Sequence, residues 1–388
     1  MFLIAAWCLL VPQDPLADLD SADPAVARRA FEAAILAGDE KALEAAAAKS
    51  ERAKLALAEV RAHKRFGDAY PPVRTVTVEF KEELFAEALD KFSKAAGVVI
   101  QPYSPSHGAK PAERITLRLN DSYVLEALDS FAQAAGITIY SLPEGYRYSG
   151  GSWNPKKSSY SRHMHLALRS VQEERSANAV GDSKVSAYLD FAGRSDGEIR
   201  IAGHGEYRFL EIWEKPGVSL MLESSPKRAM TGAWSASSSF ATGSYIKTPS
   251  ADCEVIPLIR GVLEILVPEK PVYGDVPLEG EAKELSGDNI SFRLNEVNGG
   301  GLSVKVSCPI GNSQKPHVRP ILADFQLKGA DGALLDAKGA VTGAQNAPEA
   351  SLSFAIPPGF KAAALRIRHF GAYGSLEIPF EYRDVKIR

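Results

Sequence analysis

The hydrophobic pattern changes its period along the chain, and each change predicts a different kind of element. After Asp23-Pro24, an N-cap followed by a first-turn proline, Val26, Ala30, Phe31 and Ala34 recur at helical spacing as far as Gly38. Asp39 can cap a second helix, in which Leu43, Ala46, Ala47, Leu55 and Val60 form a thin apolar stripe. This predicts a helical hairpin over residues 15–68. Tyr70-Pro71-Pro72 then breaks the helix, because a residue preceding proline is pushed toward extended conformations.

Beyond the break the same pattern is written twice. Val76, Val78 and Phe80 alternate with polar residues, Phe85, Ala88, Leu89, Phe92 and Ala96 follow at helical spacing, and Gly97 leads into Val98-Val99-Ile100. Thirty-nine residues later comes Ile115-Thr116-Leu117-Arg118-Leu119, then Val124 to Ala135, then Gly136 and Ile137-Thr138-Ile139. Each copy reads as strand, helix, strand. Gly97 and Gly136 fall where helix C-caps need a left-handed residue, so they are read as caps and not as a phosphate-binding loop.

From Ser161 onward the helical period gives way to short alternating runs separated by turn residues such as Asp196-Gly197 and Lys215-Pro216-Gly217. Met164–Val171, Lys184–Phe191, Glu198–Ala202, Tyr207–Trp213 and Val218–Leu222 are predicted strands. A serine-rich stretch over Met230–Ser244 reads as a loop. A second set of strands follows at Leu258–Val267, Ile290–Val297, Leu302–Cys308, Val318–Leu327, Ser351–Ile356, Ala364–His369 and Leu376–Tyr382. Gly299-Gly300-Gly301 is read as a hairpin turn. Such regular spacing predicts antiparallel β-sandwich, immunoglobulin-like modules at 161–250 and 255–388. The fold class expected is multidomain α+β: helical hairpin, doubled βαβ domain over 73–148, then two antiparallel sandwiches.

Composition narrows the function classes. With 45 basic and 48 acidic residues the chain lacks the basic excess that phosphate-backbone binding requires, so nucleic acid is not an expected partner. Residues 1–14 read as a signal peptide: the apolar run Phe2 to Leu10 is too short to span a bilayer but matches a signal-peptide core. The mature chain is therefore expected to be exported, periplasmic or extracellular, with no transmembrane segment.

The doubled pattern of alternating strand, a helix reading Glu-Ala-Leu-Asp with a phenylalanine and Ala-Ala-Gly behind it, and a short apolar strand resembles the secretin and TonB short N-terminal domain. The resemblance covers Val73 to Tyr148. It implies a periplasmic docking domain without a catalytic centre. No run of long lipid-facing strands follows it, so a secretin or receptor barrel is not expected. The order of segments as a whole resembles exported proteins of planctomycete-type bacteria.

Candidate chemistry is sparse. Glu87/Asp90 and Glu126/Asp129 each share a helix face, but no His or Cys completes an acid-base set nearby, and a solvated face is the expectation. His163 and His165 share one face of a strand, with His204 in the same module, and are expected to be surface histidines and not metal ligands. Cys253 and Cys308 are candidates for a disulfide in an oxidising compartment, or else small buried hydrophobes. Tyr146, Tyr148, Trp153 and Tyr160 form a candidate stacking platform for sugar rings, the alternative being rings packed on neighbouring elements. No nucleophile elbow, Walker loop, dinucleotide fingerprint or zinc-peptidase helix is present. No catalytic residue, metal or cofactor is expected. The sequence therefore predicts a non-catalytic cell-envelope protein that binds a protein partner, with carbohydrate or cell-wall polysaccharide binding as the alternative.

Overall fold

The structure is a computed structural model and describes residues 16–103, 111–142, 145–151, 155, 157–177, 183–202, 206–222, 228–229, 239–280, 283–287, 289–299, 302–311, 318–344 and 347–387. The expected signal peptide lies outside these residues. The chain divides into two compact units, the first holding residues 1–154 and 162–165, the second 155–161 and 166–388.

Unit 1 opens with α1 (Pro24–Ala37), α2 (Glu40–Ala47) and α3 (Glu51–Phe66). Three helices stand where the apolar stripe predicted two. The stripe ran through Ala48-Lys49-Ser50, but the Ser50 hydroxyl accepts the Ala53 N–H at 3.1 Å and starts a new helix there. Asp23 caps α1 in the same manner, accepting from Ala25 N at 2.8 Å behind Pro24. Leu19, Ala34, Leu43, Ala56 and Val60 pack together as the core of this bundle.

The doubled segment follows as β1 (Thr75–Leu84), α4 (Phe85–Ala96), β2 (Ile100–Pro102), β3 (Arg114–Tyr123), α5 (Val124–Ala135), β4 (Ile137–Leu142) and β5 (Gly145–Gly150). β1 and β3 pair antiparallel, and β5 lies between β2 and β4 in a three-stranded sheet, parallel to β2 and antiparallel to β4. The register of β1 and β3 exposes the symmetry behind the sequence repeat. Glu79 pairs with its own counterpart Arg118, while Thr75 pairs with Tyr123 and Leu84 with Arg114. The two copies are thus related by a local two-fold through that central pair. Phe92 and its counterpart Phe131, both fully buried, stack at 4.6 Å between centroids. Gly97 and Gly136 adopt the left-handed conformation at φ 64° and 66° and cap α4 and α5 as expected.

Symmetry also reaches the strained residues. Glu82 and Asp121, again repeat counterparts, sit at φ 51°, a left-handed conformation that costs a residue with a Cβ about 1–2 kcal/mol. Each is held by the threonine of the other copy. Thr77 Oγ1 accepts from Asp121 N at 2.9 Å, and Thr116 Oγ1 accepts from Glu82 N at 3.1 Å.

Unit 2 is built from antiparallel strands. Its first part has β6 (Lys157–Ser161), β7 (Met164–Ala177), which begins in the segment belonging to unit 1, β8 (Ser183–Ser195), β9 (Glu206–Lys215), β10 (Val218–Ser219), β11 (Arg228–Ala229), β12 (Ser239–Lys247) and β13 (Val255–Pro268). Then come β14 (Pro271–Pro277), β15 (Glu284–Ser286), β16 (Ser291–Asn298), β17 (Ser303–Ser307), β18 (Phe325–Gly329), β19 (Leu334–Asp336), β20 (Lys338–Ala344), β21 (Ala347–Ser353), β22 (Ala362–Phe370) and β23 (Tyr373–Lys386). The strands depart from the predicted ones in several places: of the predicted strand Val318–Leu327, for instance, Leu322–Asp324 is a 3-10 turn and the strand begins only at Phe325. Glu198–Ala202 is not a strand, and Ser239–Ser244, read as loop, belongs to β12, which pairs with β8 along its whole length.

The tandem boundary near residue 250 does not hold. One sheet runs β12-β8-β7-β6; the other runs β10-β9-β13-β23, so it takes its last strand from the C-terminal end of the chain. Phe191 of the first sheet packs on Phe209, Phe380 and Tyr382 of the second. Strands β14 to β22 form a second, inserted body of two sheets, β14-β22-β18-β19 and β15-β16-β17-β21-β20. Phe292, Val306 and Leu352 of one sheet and Phe325, Leu365 and Ile367 of the other share one core. β13 and β23 are paired from Val255↔Lys386 to Pro268↔Tyr373, and this ladder joins the sequence ends of the first body around the insertion.

Candidate functional site

Two features of unit 1 stand out: a buried charge cluster and an open sheet face. The cluster gathers residues that are far apart in sequence. Arg162 Nη2 donates to Glu32 on α1 at 3.0 Å, and its Nη1 donates to Glu59 on α3 at 2.6 Å and contacts His63 Nε2 at 3.0 Å. His63 Nδ1 lies 2.7 Å from the Tyr70 carbonyl. Since a carbonyl only accepts, Nδ1 carries the proton and Nε2 is left to accept from Arg162. Tyr70 donates to Glu59 at 2.7 Å and Tyr123 to Glu32 at 3.1 Å. Beside them, His163 Nε2 donates to the Pro71 carbonyl at 2.8 Å.

Burial controls the charge state here. The side chains of Arg162, Glu32 and Glu59 are only 5%, 16% and 14% exposed. Two carboxylates share one guanidinium, which leaves one negative charge in excess if both are ionised. Desolvation, only partly offset by Arg162, raises the Glu32 pKa above that of an ordinary carboxylate. Desolvation and the Arg162 charge together lower the His63 pKa. Burial raises both Tyr70 and Tyr123, so both remain phenols and donors. Arg162 itself sits at φ 43°, a strained backbone held in place by these contacts. The arrangement is a clasp that fastens residues 162–165 to α1 and α3.

The predicted acids and histidines take different places from those expected. Asp90 pairs with Lys94 on an exposed helix face, as read. The two acids of the second copy are not on a solvated face: Glu126 binds Arg28 at 2.7 Å and Asp129 lies 3.3 Å from His165. Helix α1 covers this copy, with Arg28 Nη1 also on the Asp121 carbonyl at 2.9 Å and Arg29 on its carboxylate at 3.1 Å. Leu125 is accordingly buried, while its counterpart Ala86 in the first copy is exposed. His163 and His165 are buried and not on the surface, because the 162–165 segment is drawn into unit 1. His204 lies outside the described residues.

Cys253 and Cys308 do not form the candidate disulfide; each is a buried thiol. Cys253 Sγ lies 3.4 Å from the Val255 carbonyl. Cys308 sits in the core of the inserted body, where burial pushes its pKa up to about 12. This matches the other reading, small buried hydrophobes.

The expected tyrosine platform is not assembled. Alternation along β5 turns Tyr146 and Tyr148 toward the domain interior: Tyr146 is buried, and Tyr148 meets Phe85 edge-on at 5.6 Å. Tyr160 is on β6 in unit 2, and Trp153 lies outside the described residues. A different set occupies the outer side of the sheet. Tyr140 on β4 pairs in register with Arg147 on β5, and Arg147 pairs with Gln101 on β2. Tyr103 follows Gln101 and comes within 6.2 Å of Tyr140, ring to ring. Ser149 Oγ donates to the Tyr140 hydroxyl at 3.3 Å. Val99, Tyr103 and Tyr140 are 63%, 50% and 44% exposed. The signal for Tyr140 was present in Ile137-Thr138-Ile139-Tyr140, where alternation around two buried isoleucines sends Tyr140 outward.

No protein-family model matches the chain, and no curated protein matches it. Among the described residues no helix is long and apolar enough to cross a membrane.

Proposed function

We propose that the protein is a non-catalytic, exported cell-envelope protein that docks on another protein through its doubled strand-helix-strand domain. The observation that carries the reading is the outer face of β2-β5-β4, where Val99, Tyr103 and Tyr140 stand open beside Gln101, Arg147 and Ser149. Tyrosine and arginine among small polar groups supply large contact area at low entropic cost, which is the composition of protein-binding surfaces. Most of the strongly perturbed acid-base groups of unit 1, by contrast, are bound to one another in the Arg162 clasp, an arrangement that serves packing and not turnover. Support for export comes from the apolar first residues. The resemblance of the doubled segment to the secretin and TonB short N-terminal domain supports docking in the periplasm, and the β bodies, which we read as immunoglobulin-like sandwiches, are further binding modules. The test is affinity purification of the full-length protein from its own envelope fraction. A partner retained by the native chain and lost from a Val99→Ser/Tyr140→Ser double variant of unchanged circular dichroism supports the reading; an identical set of retained proteins from both removes it.

A further inference from the structure

The doubled segment uses one of its two equivalent faces and leaves the other bare. In the second copy, β3 turns into α5 just after the left-handed Asp121, and α1 is seated on that turn. Arg29 pairs with Asp121 Oδ2 at 3.1 Å. Arg28 Nη1 donates to Glu126 at 2.7 Å and to the Asp121 carbonyl at 2.9 Å, and its guanidinium lies 4.6 Å from the Tyr123 ring centroid. Two consecutive arginines on one helix thus fit two acids set on one strand-to-helix turn.

The first copy repeats this seat without an occupant. Glu82 stands for Asp121 at the same φ of 51°, Leu84 for Tyr123 and Glu87 for Glu126. The backbone matches, with Leu84 at φ −59°, ψ 138° and Tyr123 at φ −60°, ψ 149°, each followed by a helix of 12 residues. Thr116 Oγ1 donates to Glu82 Oε1 at 2.7 Å, as Thr77 Oγ1 donates to Asp121 Oδ1 at 3.3 Å. One contact comes from within the domain: Arg114 Nη1 donates to the Glu82 carbonyl at 2.8 Å, in the role of Arg28. The carboxylates are left over. Among the described residues no cation pairs with Glu82 or Glu87, whereas Glu83 is taken by Lys91 and Asp90 by Lys94. Leu84 is 42% exposed where Tyr123 is 8%. An acid in the first turn suits any helix dipole, which accounts for Glu87 and Glu126. It does not account for an acid on the left-handed residue before the helix, where glycine or asparagine is easier.

We propose that the turn between β1 and α4 is a further docking seat, which takes a helix of a partner protein presenting two consecutive basic residues. One pairs with Glu82 and the other with Glu87, while the apolar side of that helix rests on Leu84 and Ala86. The partner's chemistry is read from α1, which fills the equivalent seat of the second copy. Another helix of this chain does not supply it. The two consecutive basic pairs on the described helices are both engaged, Arg28-Arg29 on the second copy and Lys64-Arg65 on Glu40 and the Phe66 ring. This seat is a different surface from the β2-β5-β4 face and does not rest on it. Its ion pairs are exposed, so binding weakens as salt rises.

The probe is a fluorescently labelled, end-capped peptide of residues 21–38, which carries both arginines of α1 together with its Asp23 and Gly38 caps. Full-length protein is titrated into it at low ionic strength, with fluorescence anisotropy as the readout. The expected result is saturable one-to-one binding. Glu87→Lys in the protein should weaken it at least about tenfold, because attraction becomes like-charge repulsion. Glu87 is exposed and without a partner, so this variant should fold normally. A peptide carrying Arg28→Gln and Arg29→Gln should lose binding to the same degree, and the exposed control Glu284→Lys in unit 2 should leave it unchanged. No saturable binding up to about one millimolar protein would overturn the proposal. So would binding that Glu87→Lys leaves in place, which is the result if the peptide displaces α1 from its own seat, or binding that the glutamine peptide retains.

Discussion

Replacing Arg162 by methionine removes the cation from the clasp while keeping a side chain of similar length. Its guanidinium is 5% exposed and spans Glu59 at 2.6 Å and Glu32 at 3.0 Å. Removing one partner of a buried ion pair costs about 3–5 kcal/mol, because the remaining charge stays in a poorly solvated site. Here two carboxylates are stranded, so the loss belongs at the upper end of that range at pH 7.5. It must also depend on pH. Once both carboxylates are protonated no buried charge is stranded, so the loss shrinks toward pH 4. All described α-helices lie in unit 1, between Pro24 and Ala135, so ellipticity at 222 nm follows that unit in urea unfolding. A loss at pH 7.5 below about 1 kcal/mol, or one of equal size at pH 7.5 and pH 4, would refute the reasoning.

The clasp residues titrate in opposing directions. Glu32 has a raised folded pKa, so its contribution is fully present below the unfolded value of 4.5 and is lost as pH rises through the folded pKa. His63 has a lowered folded pKa, so stability falls as pH drops below the unfolded value of 6.5 toward the folded one. Native unit 1 should therefore change little between these values, whereas Glu32→Gln should leave only the His63 slope and become acid-labile below pH 6.5 in the same urea assay. Thr77→Val and Thr116→Val each remove a bond to a left-handed residue of the other copy. Each should cost about 0.5–1.5 kcal/mol, and the near-equality of the two losses is the check on the two-fold symmetry. Ending the chain at Ala372 deletes β23 and with it Ile378, Phe380 and Tyr382 from the first β body. That chain should keep its 222 nm signal and lose cooperative unfolding of the body, seen as proteolysis within residues 157–268. Reducing agent should leave the unfolding temperature unchanged, and Cys253 and Cys308 should react with maleimide only after denaturant is added.

How much of this was legible in the sequence depended on how local the cause was. The doubled domain was readable because its determinants recur within a few residues: alternation in Val76-Thr77-Val78, helical spacing from Phe85 to Ala96, and Gly97 where a left-handed cap is needed. Most strands of unit 2 were legible for the same reason. Their partners were not. Nothing near Glu377-Ile378-Pro379-Phe380 says that this strand pairs with Val262-Leu263 across the inserted body, so the nested arrangement read as two modules in tandem. Strand β12 was hidden because its serines and glycines are poor strand formers, and pairing with β8 overrides that preference. The clasp was hidden too: Glu32, Glu59, His63 and Arg162 look like ordinary surface residues until the fold gathers them. For the tyrosines, the parity along β5 decides, and it sends Tyr146 inward while Tyr140 on the neighbouring strand points out.

Docking through the β2-β5-β4 face is tested most directly by placing a photo-crosslinking residue at Val99 or Tyr140 of the full-length protein in living cells, with exposed Lys305 in unit 2 as the control. Our account predicts one discrete adduct with the same protein from both positions on the face and none from the control. Adducts of equal strength from all three positions, or none from any, would contradict it.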